Sequence, residues 1–510
     1  MKKFLCLVLA LGIALSLAAC SGGWKSTVTD YSGEVSSNGG FAVVKGDYVY
    51  FINGVESNTA DNSFGTPVKG ALVRVKLADL DKEEIPAGEV VIPQLVLTNA
   101  AEGSNGFYIY GDYVYYTTPS VDKDKTGAVQ NTKLVYARTK LNGTDTTQIT
   151  TVDNLTSSFR YVQSGDKVYL VLNTTNDDGQ NVLISYDASK SNTVVARTDE
   201  VKDDERTVAV QNYVFSDDLS KNYCYYVETA YDKERGEDES YQNIVKFNFD
   251  GSDKTTVCEG SDGTQGATFT LIKDTGSEVY YSKTYVDTTV TTTVKYFVAK
   301  NGDFSASTLL SEATTNASTI FATTSYFKAP DAIVYFDSTK GFLKYDYTAR
   351  NNVENYGVTY LVEDRQALSV ISGLTVSSYQ DGYVYMTDSS NYYYRISVET
   401  LLSGNLTEAD VVRLTYVSLS TASTFYKPEI IGDYILAAND ASPFGDYVYA
   451  VKMEKANLDD DAKEAKLAEY DFTVKENVEK FAKRRLGVIT ETDKETYDEY
   501  IKNTFEDEEE

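Results

Sequence analysis

Apolar residues along this chain fall into short, strand-sized clusters with tyrosine at their centres. They read Tyr48-Val49-Tyr50-Phe51, Tyr113-Val114-Tyr115-Tyr116, Lys167-Val168-Tyr169, Tyr223-Cys224-Tyr225-Tyr226, Glu278-Val279-Tyr280-Tyr281, Ile333-Val334-Tyr335-Phe336, Tyr383-Val384-Tyr385-Met386 and Tyr434-Ile435-Leu436. A sheet with one wet face alternates apolar and polar side chains. These clusters carry bulk at successive positions, so both faces of each strand must be covered. Tyrosine suits such an interface, because it buries a ring while its hydroxyl finds a partner at the edge. No long stretch of 3.6-residue periodicity interrupts the pattern before the C-terminal tail.

The centres of the clusters, residues 49, 114, 168, 224, 279, 334, 384 and 435, recur at intervals of 50 to 65 residues. A period of that size marks a repeat architecture. Residues 107–150 show one unit in full: Phe107-Tyr108-Ile109-Tyr110, a Gly111-Asp112 turn, a strand over 113–118, another over Leu134–Thr139, an Asn142-Gly143 hairpin turn, and Thr147–Thr150. Four antiparallel strands in fifty-odd residues describe a propeller blade. The expected fold is therefore all-β, a β-propeller of eight four-stranded blades, with seven open if one unit is degenerate. The eighth unit has no obvious fourth strand. Either Glu469–Val474 supplies it, or Ser26–Tyr31 crosses over to pair there.

The ends differ in character. Lys2 and Lys3 precede an apolar run from Phe4 to Ala19, too short to be a comfortable membrane span, so residues 1–19 read as a signal peptide. Leu17-Ala18-Ala19-Cys20 resembles the lipobox of bacterial lipoproteins, which implies cleavage before Cys20 and lipid attachment to it. Residues 20–39 then form a Ser/Gly-rich flexible tether and 40–456 the propeller. Residues 457–505 form an extension of two amphipathic helices, with capping boxes at Thr473–Glu476 and Thr492–Glu495. Residues 506–510 are a disordered acidic tail. The protein is thus expected outside the cytoplasm, lipid-anchored to the bacterial cell membrane.

The formal charge of −29 becomes about −31 once the signal lysines are removed, which disfavours nucleic acid and anionic lipid surfaces. Histidine is absent, and with it every imidazole-based triad or metal centre. Sialidase-type and quinoprotein propeller motifs need recurrent Trp, but the single Trp24 lies in the tether. Asp122-Lys123-Asp124-Lys125-Thr126-Gly127 has the opening pattern of a calcium loop, yet its twelfth position is Lys133. A solvated loop is the plainer reading. Calcium through Asp122, Asp124 and Thr126 is the one cofactor to consider.

The repeat resembles the YWTD-type propellers of low-density-lipoprotein-receptor-like proteins, and more closely the related domains of bacterial surface lipoproteins. Tyr385-Met386-Thr387-Asp388 is the nearest copy of the tetrapeptide. That resemblance implies fold rather than activity. The reading is a non-enzymatic module binding a protein, peptide or glycan of the cell envelope, as a monomer or as a subunit of a complex. A scaffold subunit of an envelope complex and a carboxylate-based carbohydrate enzyme are the alternatives. Cys224 and Cys258, assigned to the second and fourth strands of one blade, lie roughly 9.5 Å apart by strand spacing, beyond the roughly 7 Å that a disulfide bridges. Both thiols are expected free and buried. Mass spectrometry of the non-reduced protein should find no Cys224–Cys258 bond; finding one would overturn the strand assignment.

Overall fold

The computed structural model describes residues 26–505, apart from 27, 55–68, 94–95, 97–105, 121–132, 154–157, 201–205, 233–240, 253, 261–266, 287–291, 313–325, 330–331, 350, 353, 356, 420–427 and 439–446. Eight antiparallel sheets follow one another along the chain. Seven have four strands in sequence order and the eighth has three, Glu429–Ile431, Tyr434–Ala438 and Val448–Lys452. The fold is an eight-bladed β-propeller with C-terminal helices.

Each second strand divides its side chains between two neighbours. In blade four, Cys224 and Tyr226 pack with Val162, Tyr169 and Val171 of blade three, while Tyr225 and Val227 pack with Phe269 and Tyr281 of blade five. Tyr280 and Tyr281 split in the same way between blades six and four. Tyr161 is fully buried among Tyr108, Tyr115 and Phe159, with ring centroids 5.3–5.8 Å apart. Such tilted contacts favour aromatic rings beyond the area they bury.

The first strands converge on the axis. Successive blades are tied there by side chains that reach the next backbone. Tyr110 Oη donates to the Tyr161 carbonyl at 3.0 Å, and Asn212 Oδ1 accepts from the Leu271 N–H at 2.6 Å. Gln380 Nε2 donates to the Ile430 carbonyl at 3.2 Å, and Glu429 accepts from the Phe41 N–H at 3.0 Å. One end of the ring carries the tight turns that join first to second and third to fourth strands. Gly46 and Gly111 take φ of +56° there, as a two-residue hairpin turn with leading glycine requires. In blades two to six the third-strand turn is an Asx turn: Asn142, Asp187, Asp250, Asp303 and Asp346 each accept from the N–H two residues on. The other end carries the second-to-third-strand and interblade connections, which run as long as 53–71 and 93–107 in the first blade.

Ring closure differs from both sequence expectations. Neither Glu469–Val474 nor Ser26–Tyr31 completes the eighth blade. The segment around Arg485 does, with Ala450 N donating to the Arg484 carbonyl and Leu486 N to the Val448 carbonyl. Arg484 donates to the Leu80 carbonyl at 2.7 Å and also bonds the Lys82 carbonyl at 2.5 Å, both in blade one. The Asn53 side chain both donates to and accepts from the Val488 backbone at 2.9 Å. Gly487 has φ +92° and touches Asn53 so closely that a Cβ would sit 2.0 Å from its Oδ1. Three consecutive residues within a charged stretch offered no alternating pattern to read.

Of the expected tether, Ser26 and residues 28–39 are described, and they bond to the propeller. Ser26 reaches the Val90 carbonyl, Gly33 lies against the Gly46 turn, and residues 34–36 pair along the axial edge of Ala42–Lys45. Asn38 then exchanges two hydrogen bonds with Ile109 of blade two. Arg74, only 2% exposed, stacks on Tyr48 at 3.9 Å, bonds Glu89 at 2.6 Å and holds the Asp30 carbonyl.

The extension holds three helices where the sequence suggested two: α1 (Asp460–Ala468), α2 (Lys475–Ala482) and α3 (Glu491–Phe505). α1 has no buried residue, so no apolar stripe announced it. α2 buries Val478 and Phe481 against blade eight, with Phe481 stacked on Tyr449 at 4.7 Å. The Thr473 hydroxyl turns back to Asp471 instead of capping α2, and the cap before α3 pairs Thr490 with Asp493 rather than Thr492 with Glu495. Cys224 and Cys258 are free, on the second and fourth strands as expected, but Cys258 is only half-buried.

Two outcomes follow from closure and from a buried carboxylate. Leu486 is fully buried, so Leu486→Ala should cost about 2–5 kcal/mol in urea unfolding, whereas Leu467→Ala, 39% exposed on α1, should stay within about 0.5 kcal/mol. Equal effects would deny the closing strand its role. Asp274 is 1% exposed at the axis, its Oδ1 accepts from Gly276 N, and its Oδ2 has no partner. Burial pushes its pKa up. A raised folded pKa means that Asp274 destabilises the fold as pH rises through that value. Asp274→Asn should therefore gain stability over wild type between pH 4 and pH 7; a pH-independent difference would show that Asp274 does not titrate in that range.

Candidate functional site

A pocket of about 470 Å³ opens at the axis where blades three, four and five meet. The first strand of blade four, Arg206–Phe215, forms its floor. Pairing in this strand slips between Val210 and Asn212, leaving Gln211 bulged and exposed. A bulge re-aims side chains and twists the strand locally. Here it keeps a polar residue at the axis, where Val or Tyr would otherwise fill the interface. A second slip, between Leu271 and Lys273, does the same to the first strand of blade five. Bulges are set by pairing, which is why no motif in the sequence flagged these residues.

The lining is mostly polar. Arg160, from the first strand of blade three, stacks over Phe215 at 4.8 Å and donates to the Ser216 carbonyl. Among the described residues that is its one hydrogen bond, so the rest of its donor fork lines the pocket. Lys273 pairs with Asp217 at 2.9 Å. Asn173 Nδ2 donates to Tyr213 Oη at 3.4 Å, while its buried Oδ1 accepts nothing. A buried acceptor without a donor is costly and calls for an explanation. Asn181 and Gln211 add exposed amides.

Chemically the pocket offers donors and acceptors, two aromatic edges and one uncommitted guanidinium. Among the described lining residues there is no cysteine, serine or threonine. Burial pushes the neighbouring Cys224 thiol up, against the opposing pull of Arg160, so the thiolate is scarce near neutrality. Among the described residues no three His, Cys, Asp or Glu side chains converge as a metal site. The calcium-loop residues Asp122, Asp124 and Thr126 lie outside the described residues, as does Cys20. No helix among the described residues is long and apolar enough to cross a membrane. Tyr385-Met386-Thr387, the start of the YWTD-like tetrapeptide, is second-strand packing in blade seven, and Asp388 closes the following turn.

A second pocket of about 470 Å³ lies at the tight-turn end between blades seven, eight and one. Its acidic rim is largely engaged in closing the ring. Asp81 accepts from Tyr434 Oη at 2.7 Å and from Lys452 at 2.9 Å, and Asp433 pairs with Lys455 at 2.8 Å.

No protein-family model matches this chain, and no curated protein matches it. Similar solved structures include a puromycin hydrolase, 12% identical over 69% of this chain and 54% of that one, with a TM-score of 0.37. A puromycin-hydrolysing peptidase of Mycobacterium tuberculosis is 10% identical over 69% of this chain and 52% of that one, with a TM-score of 0.35. The polysaccharide lyase Uly1 is 10% identical over 86% and 95%, with a TM-score of 0.35. The chain spans about half the length of the first two. The expectation that this chain is not an enzyme is withdrawn. Enzymes stand among the structures similar to it.

Proposed function

We propose that the protein is a lipid-anchored, extracytoplasmic propeller that binds a polar ligand, glycan or peptide, in the axial pocket between blades three and five. The observation that carries this reading is a polar pocket lined by Asn173, Asn181 and Gln211 in which Arg160 makes one hydrogen bond among the described residues. A cleft lined by amides and a guanidinium with spare donors has partners to offer a polar ligand. The orientation of the chain agrees. Ser26 and Gly33 lie against the tight-turn end, at Gly143 and Gly46 respectively. Five residues lie between Cys20 and Ser26, a reach of at most about 22 Å. An anchor at Cys20 would hold the tight turns towards the bilayer and turn the longer connections outward. Asn173 and Asn181 lie at that outward end, beside the connection from second to third strand of blade three.

Cells fed labelled palmitate should label the wild type and not Cys20→Ser; an unlabelled wild type would remove the anchor from this reading. Full-length protein in detergent, applied to glycan and peptide arrays, should lose its ligands at least tenfold on Asn181→Trp, which fills the outer pocket from an exposed position. Ligands that survive both Asn181→Trp and Gln211→Ala would place binding elsewhere.

A further inference from the structure

The pocket's chemistry narrows its ligand. On a chain of formal charge −29, the described lining of the pocket sets Arg160 and Lys273 against one carboxylate, Asp217, an excess of one positive charge among those residues. That excess resides on Arg160, since Lys273 is already paired with Asp217. A guanidinium presents parallel N–H donors that match a planar carboxylate. The same lining carries groups suited to hydroxyls: the amides of Asn173, Asn181 and Gln211 can both give and accept. The Tyr213 and Phe215 rings, 5.4 Å apart and perpendicular, give apolar edges on the same wall.

Resting on the axial pocket as the binding site, we infer that its ligand is a carboxylated saccharide, a uronate-bearing glycan with one acid group per ring. The carboxylate docks on Arg160 and the neighbouring hydroxyls on Asn173, Asn181 and Gln211. A polyphosphate or densely sulfated chain fits worse, because one spare cation cannot offset several charges against an acidic surface. A peptide fits worse as well. Its side chains call for separate sockets, which a lining of amides and two ring edges does not provide.

Titration calorimetry on the full-length protein in detergent tests this with three probes: tetragalacturonate, its methyl ester, and a carboxylate-ended tetrapeptide. Tetragalacturonate should bind at least tenfold more tightly than the ester, and the peptide more weakly than both. Arg160→Gln should erase the acid-over-ester preference, whereas Asn173→Leu should weaken acid and ester alike. Arg160 also ties blades three and four, so Arg160→Lys, which keeps the charge and loses the fork, serves where the glutamine variant fails to fold. It should bring the preference below threefold. Equal binding of acid and ester, tighter binding of the peptide, or no saccharide binding at all would overturn the assignment. If another ligand still depends on Asn181 and Gln211, the pocket survives and only its carboxylate chemistry fails.

Discussion

A sheet with two apolar faces cannot stand alone. Every blade here has tyrosine, valine or leucine on both sides, so each needs a neighbour on each flank, and the only arrangement with no bare flank is a closed ring. That requirement organises the rest. It sends Tyr225 and Tyr226 to opposite interfaces. It brings the first strands close enough for Asn212 and Gln380 to reach the next blade's backbone. It also sends Arg484 to blade one, because the last blade has to meet the first.

Where the packing rule is broken, the molecule has a site. The slipped pairing at Gln211 and at Ile272 opens the axial wall, and polar residues occupy what would otherwise be tyrosine positions. The cost is visible in the bare Asn173 oxygen. Along the axis, Tyr110, Asn212, Gln380 and Glu429 each bond the backbone of the next blade. The candidate site is thus a local departure from the repeat and owes nothing to the repeated phrase.

That contrast explains what could be read from residues alone. Blade number and strand positions were legible because two-sided burial writes itself into consecutive positions, as in Tyr113-Val114-Tyr115-Tyr116, all but the first of them buried. The turns were legible because Gly46 and Asp250 answer to local backbone geometry. The closing strand was not, since Arg484–Leu486 has no room for alternation and draws its partners from blades eight and one. The pocket was not either. Arg160, Asn173, Gln211 and Lys273 are separated by long stretches of chain, and only the ring sets them side by side. α1 went unread for another reason, having no buried face.

The way the ring is fastened sets a timetable. Arg484 bonds Leu80 across 404 positions and Asn53 bonds Val488 across 435. Blades two to seven can be assembled from neighbouring hairpins as the chain emerges, but blade one meets its second neighbour only when residues 429–452 arrive, and the edge of that last blade stays unpaired until residues 484–486 follow. Enclosing so large a loop costs little more than enclosing one half its size, about 0.6 kcal/mol per doubling. The burden is one of time, since contacts this distant in sequence form slowly. Until then Val448–Lys452 is a strand edge open to other chains. A ring fastened by a segment that follows its last blade therefore makes the arrival of residues 484–486 the condition for a finished fold, and a chain cut short before Arg484 would be left with that seam open.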